Sequence, residues 1–103
     1  MVPRTPPTAP AVYERVVAVV SGRVQGVGYR MFAREMAHRI GVGGEVRNRA
    51  GGTVEVVAEG RPSRLDDFEA ALRRGPFAAT VDGVDATREP IRGRGRARRF
   101  VVR

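Results

Sequence analysis

The chain has 103 residues, a formal net charge of +8, 42% hydrophobic and 29% charged residues, and no cysteine. That length and balance fit one globular domain and argue against wholesale disorder. Disulfides, thiolate metal sites and a cysteine nucleophile are excluded, no apolar run approaches a membrane span, and the lone His38 cannot build a zinc site by itself.

The sequence opens on MVPRTPPTAP, rich in proline and threonine and lacking the apolar segment of a secretory signal. Residues 1–12 are therefore expected to be a flexible tail, residues 13–103 the folded domain, and the protein cytoplasmic. Residues 14–21, ERVVAVVS, are β-branched and continuous, as in a buried strand. A glycine-rich loop is expected over residues 22–28. Residues 29–40, YRMFAREMAHRI, place Phe32, Ala33, Met36, Ala37 and Ile40 on one helical stripe, and Gly41 stops the helix. Residues 45–49 read as a second strand, Ala50-Gly51-Gly52 as a tight turn, and the alternating TVEVVAE of residues 53–59 as the return strand of a hairpin.

Pro62 and Ser63 open a second helix, with Ser63 as the expected cap and Asp66 three residues on. Leu65, Phe68, Ala71 and Leu72 form its stripe, and Gly75-Pro76 ends it. Residues 80–87 read as a weaker strand, because Val81 and Val84 are out of phase. Residues 88–99 read as a polar Arg/Gly loop and residues 100–103 as a short closing strand. The order βαββαβ plus a terminal strand is the ferredoxin-like, split βαβ pattern of the α+β class, with both helices on one face of an antiparallel or mixed sheet. That fold serves many activities, so function has to be argued from a site.

All 19 basic residues are arginine. A basic excess points toward nucleic acid, but a chain with no lysine and abundant Ala, Gly and Val reads more simply as coding bias. The surplus still favours small anionic ligands.

One stretch breaks local rules: GRVQGVGYR, residues 22–30. A helix leaves its first four N–H groups without internal partners. The first helix has no Ser, Thr, Asp or Asn just before it; its loop offers Gly26, Val27 and Gly28 instead. Glycine permits the positive-φ turns that gather successive N–H groups into an anion-binding concavity. Arg30 in the first turn opposes the helix dipole, unless an anion lies between the two, which a guanidinium then grips through two oxygens. On the pattern alone, a glycine-rich turn beside a surface arginine fits as well. Asn48, before the hairpin turn, is equally at home as a turn residue. In a split βαβ fold it can also lie near the loop after the first strand, where a neutral amide orients a water without repelling a phosphate.

The chain resembles the acylphosphatases. The matching segments are VSGRVQGVGYR (residues 20–30), GVGGEVRNRAGGTVEVVAEG (41–60), GPFAATV (75–81) and the terminal FVVR. The resemblance implies a ferredoxin-like fold and hydrolysis of a carboxyl–phosphate mixed anhydride to a carboxylate and inorganic phosphate. It implies a phosphate cradle from the backbone of Gly22, Arg23, Val24, Gln25, Gly26, Val27 and Gly28, with Arg30 binding substrate and Asn48 positioning water. It implies no metal or cofactor, a monomer, a small acyl phosphate as substrate, and phosphate or sulfate as competing anions; neither nucleic acid nor membrane is expected as a partner. The chain departs from the family pattern at Glu45, where an aromatic is usual, at Gly51, where an acid is usual, and in ending at Arg103. None of these falls on the cradle, Arg30 or Asn48.

Two other readings share the element order. An RNA-recognition module would carry stacking aromatics on its central strands, and VVAVVS and TVEVVAE carry none. The Gly41-Val42-Gly43-Gly44 stretch matches a KH loop only in its spacing. A non-catalytic anion-binding domain would keep the cradle and lack the reaction; as a part of larger carbamoyl-transfer proteins, such a domain is disfavoured by the short chain.

Overall fold

A computed structural model describes residues 12–93, 97 and 99–103. The proposed tail therefore lies outside the described residues except for Val12. Five strands and two helices follow in the order β1 (Tyr13–Arg23), α1 (Tyr29–Ile40), β2 (Gly43–Asn48), β3 (Val54–Gly60), α2 (Pro62–Arg74), β4 (Thr80–Ile91) and β5 (Phe100–Val102). The sheet runs β4-β1-β3-β2-β5. Its first four strands are antiparallel neighbours, and β5 lies parallel to β2.

The strand registers put one apolar face together. Val16, Ala18 and Val20 of β1 stand opposite Ala58, Val56 and Val54 of β3, and Val46 of β2 stands opposite Val56. All seven are fully buried, because alternate residues of a strand share a face. Both helices cover that face. α1 lies over β2 and β5, and α2 over β1 and β4. α1 buries Tyr29, Ala33 and Ala37, while α2 buries Leu65, Phe68, Ala71 and Leu72. Phe68 meets Phe100 edge-on, with ring centres 5.7 Å apart, a favoured aromatic geometry. The other face of β1 and β3 presents Tyr13, Arg15, Val17, Val19, Glu55, Val57 and Glu59, with its one aromatic side chain at the very start of β1.

Several boundaries differ from the sequence reading. Strand β4 runs on through Arg88, Glu89, Pro90 and Ile91, opposite Val16, Arg15, Glu14 and Tyr13 of β1, where a loop was expected. An edge strand tolerates proline because one side of its backbone needs no partner. Arg88 is held between layers by carboxylates of Glu14, Asp66 and Glu69, at 3.2, 2.7 and 2.9 Å. Gly43 and Gly44 belong to β2, so the GxxG stretch is not a loop. Ser63 is not the cap of α2: Arg61 is, with an extended backbone and no side-chain cap bond. Pro62 occupies the first turn, where its fixed φ and missing N–H suit it, and this places Ser63 inside the helix and leaves Asp66 to Arg88.

Candidate functional site

The site forms at one end of the sheet. Val20 of β1 pairs with Val54 of β3, and Asn48 of β2 pairs with the same Val54. The chain leaving β1 therefore passes beside the β2–β3 turn before entering α1.

The expected loop is shorter than residues 22–28. Gly22 and Arg23 remain in β1, opposite Val81 and Thr80 of β4, after a bulge at Ser21/Gly22. The approach there is close: a Cβ on Gly22 would run into the Thr80 carbonyl oxygen. The loop proper is residues 24–28. Val24 is buried in the core, and Val27 packs against it. Gly26 and Gly28 have φ of 76° and 82°. A Cβ on either would meet nothing within 4 Å, so backbone conformation and not crowding calls for glycine at both.

Gly28 is the cap residue of α1 and makes no side-chain cap bond. The first α1 bond runs from the Phe32 N–H to the Gly28 carbonyl at 3.0 Å. Among the described residues, the backbone N–H groups of residues 25–31 donate to no protein acceptor. Consecutive donors are thus left without a protein partner where the helix dipole is positive.

A concavity of about 110 Å³ lies at this point, lined by Val24, Gly26, Gly28, Tyr29, Arg30, Met31, Asn48 and Val102. Arg30 and Asn48, distant in sequence, thus border one space with the glycines. Among the described residues the Asn48 side-chain amide has no protein partner. Arg30 spends one N–H: its Nη1 donates to the Arg103 main-chain oxygen at 3.0 Å, which fixes the guanidinium and leaves the other donors of the fork available.

A sequence model of a known family, described as Acylphosphatase, matches residues 16–102. The chain belongs to the acylphosphatase family. An acylphosphatase of Rubrobacter xylanophilus is 47% identical over 90 residues, covering 87% of this chain and 80% of that protein. One from Thermus thermophilus is 49% identical over 71 residues, covering 69% and 81%. The crystal structure of acylphosphatase from Bacillus subtilis shares the fold with a TM-score of 0.80 at 34% identity, over 86% of this chain and 97% of that one.

In this acylphosphatase-family chain, the structure adds residues that the sequence reading left out. Tyr29 is buried and donates its hydroxyl to the Leu72 carbonyl at 2.7 Å, pinning the start of α1 to the end of α2. Burial pushes that phenol well above the usual tyrosine range, so it stays protonated. Its position is legible in hindsight, because 29, 33 and 37 continue one helical row. Met31 and Val102 complete the walls of the concavity. Glu45, a departure from the family pattern, accepts from Arg103 Nε at 3.0 Å and from Arg47 Nη2 at 2.8 Å. These two bonds, Arg103 first, hold its carboxyl below the usual carboxylate range. Glu45 thereby braces the residue on which Arg30 leans. His38 is exposed on the far part of α1 and lines a different hollow.

Proposed function

We propose that the chain hydrolyses small acyl phosphates in this concavity, transferring the phosphoryl group to water. The observation that carries the reading is the run of N–H groups over residues 25–31 that have no protein acceptor among the described residues, beside Arg30 and Asn48. Backbone donors and a guanidinium suit a tetrahedral dianion, and they stabilise charge as the phosphorus–oxygen bond loosens. Asn48 holds a water in line with the leaving carboxylate. The water oxygen bonds to phosphorus, the carboxylate leaves with the electron pair of the broken bond, and the water proton passes to a phosphate oxygen of the substrate itself. No side chain is required as general base, and none in the concavity has that chemistry: its polar side chains are Asn48, Arg30 and the hydrogen-bonded Tyr29.

The family membership supports the reading, since the named relatives are acylphosphatases. A stacking RNA module finds little support, since the only aromatic on β1 and β3 is Tyr13, at the outer end of β1. The reading extends to a cytoplasmic monomer with inorganic phosphate as a competing anion. Release of phosphate from acetyl phosphate tests it: turnover that inorganic phosphate inhibits competitively is expected, and wild-type protein that only binds phosphate would leave a non-catalytic anion receptor.

A further inference from the structure

We propose that Gln25 is a positioning residue, whose side-chain amide fixes the β2–β3 turn against the loop after β1 and so sets the distance from Asn48 to whatever the loop holds. The kinetic consequence rests on the hydrolase reading; the clamp itself does not.

Gln25 Nε2 donates to the Arg49 carbonyl and to the Thr53 carbonyl, each at 2.8 Å. A primary amide has two N–H groups, and here each reaches one side of the hairpin. The same carbonyls already close the turn: Thr53 accepts from the Arg49 N–H at 2.8 Å, and Arg49 from the Gly52 N–H at 3.3 Å. Asn48 immediately precedes Arg49, and its strand partner Val54 immediately follows Thr53. Gln25 therefore grips both strands one residue away from Asn48 and its partner. On its own side it sits between Val24 and Gly26, both of which border the concavity.

Little else fastens the two segments. Among the described residues, Gln25 makes the only side-chain hydrogen bonds between residues 24–28 and the turn. The glycines flanking Val27 leave open space around them and give the loop freedom in place of rigidity. The Asn48 side chain has no protein partner to orient it, so its placement depends on its backbone, and that backbone is tied to the loop through Gln25. Glutamate at this position would set a carboxylate against two carbonyl oxygens, and asparagine is one carbon shorter.

Gln25→Met keeps the length of the side chain and removes both donors. In the full chain, turnover of acetyl phosphate is expected to fall ~10- to 100-fold, the scale of a misplaced reacting group. Inhibition by inorganic phosphate should change less than about threefold, because the backbone donors and Arg30 remain. In an Asn48→Ala background, Gln25→Met should slow turnover less than about threefold further, since a residue acting through Asn48 has nothing left to place. Hydrogen exchange at the Arg49 and Gly52 amides should quicken at least ~10-fold, while α1 stays protected. Gln25→Leu, also uncharged and without donors, should reproduce each result and stands in if the methionine variant does not fold.

Equal slowing in both backgrounds, unchanged turnover, or unchanged exchange at Arg49 and Gly52 would overturn the proposal. A wild-type protein without hydrolase activity would contradict the hydrolase reading alone, and the exchange comparison would still decide the clamp.

Discussion

The two helix N-termini differ in a way that side-chain capping does not describe, because neither has a capping side chain. α2 starts from extended Arg61, and Pro62 removes one of the four orphan donors at the outset. Protein groups then hold this start in place. Arg64 and Leu65 donate to the Arg61 carbonyl, each at 3.0 Å, and Arg88 reaches from β4 to Asp66, just past the first turn. α1 starts from left-handed Gly28 and keeps its donors, with Arg30 in its first turn and Asn48 across the concavity. A missing cap is thus a poor sign of a binding site. On the proposed reading, retained donors, a cation set against the dipole and a facing polar side chain together are a better one.

The comparison is tested most severely at α1. Arg30→Gln and Asn48→Ala should each cut acetyl phosphate turnover at least ~100-fold, the scale of losing one transition-state donor. Arg30→Gln should act mainly through phosphate affinity and Asn48→Ala mainly through kcat, as initial rates with phosphate inhibition will separate. Benzoyl phosphate turned over normally by Asn48→Ala would remove Asn48 from the mechanism.

At α2 the corresponding loss is one of stability. Burial works against the charge of Arg88, but the hydrogen bonds that it donates to Glu69, Asp66 and Glu14 outweigh it and raise its pKa above the ordinary arginine value. Arg88→Ala leaves those three carboxylates facing one another. Urea unfolding should show a loss of about 1–3 kcal/mol, below the cost of breaking a fully buried pair because the arginine is partly exposed. Turnover per folded molecule should not change.

Acid should bear on the α1 side through Glu45. Its folded pKa is depressed, so its bonds to Arg103 and Arg47 contribute stability above the ordinary carboxylate pKa and lose it as pH falls through the depressed value. The stability gap between wild type and Glu45→Gln should therefore be level at neutral pH and close in acid, below the usual glutamate range. A gap that widens in acid would refute the assignment. The smallest effect belongs to Ser63→Ala. As an exposed residue inside α2 it should alter stability by less than about 0.5 kcal/mol, against ~1 kcal/mol for a true cap.

What the sequence disclosed follows from how local each feature is. The valine run of β1, most of the stripe of α1 and the glycine stop at Gly41 are patterns over a few residues, and the structure has them, with Tyr29 in the core in place of Phe32. The end of β4 is not such a pattern. Arg88-Glu89-Pro90 looks like a loop because its polar side chains are satisfied by Glu14, Asp66, Glu69 and Arg15 from other elements. Ser63 was misplaced because Pro62 takes the first turn and shifts the helix start. The glycines and Arg30 could be suspected, since they violate capping and dipole preferences within nine residues. The approach of Asn48 depends on β3 lying between β1 and β2, and Gln25 binds carbonyls 24 and 28 positions away. Read alone, its residue type gives no sign of that.

The central claim is that the amides opening α1, together with Arg30, seat a phosphate. Titrating the labelled protein with inorganic phosphate, and following each backbone amide by NMR, tests it most directly. The account predicts saturable shifts concentrated in residues 25–31, much weakened in Arg30→Gln, with residues 63–65 at the start of α2 unmoved. Shifts confined to the start of α2, or spread evenly over the arginine-rich surface, would contradict it.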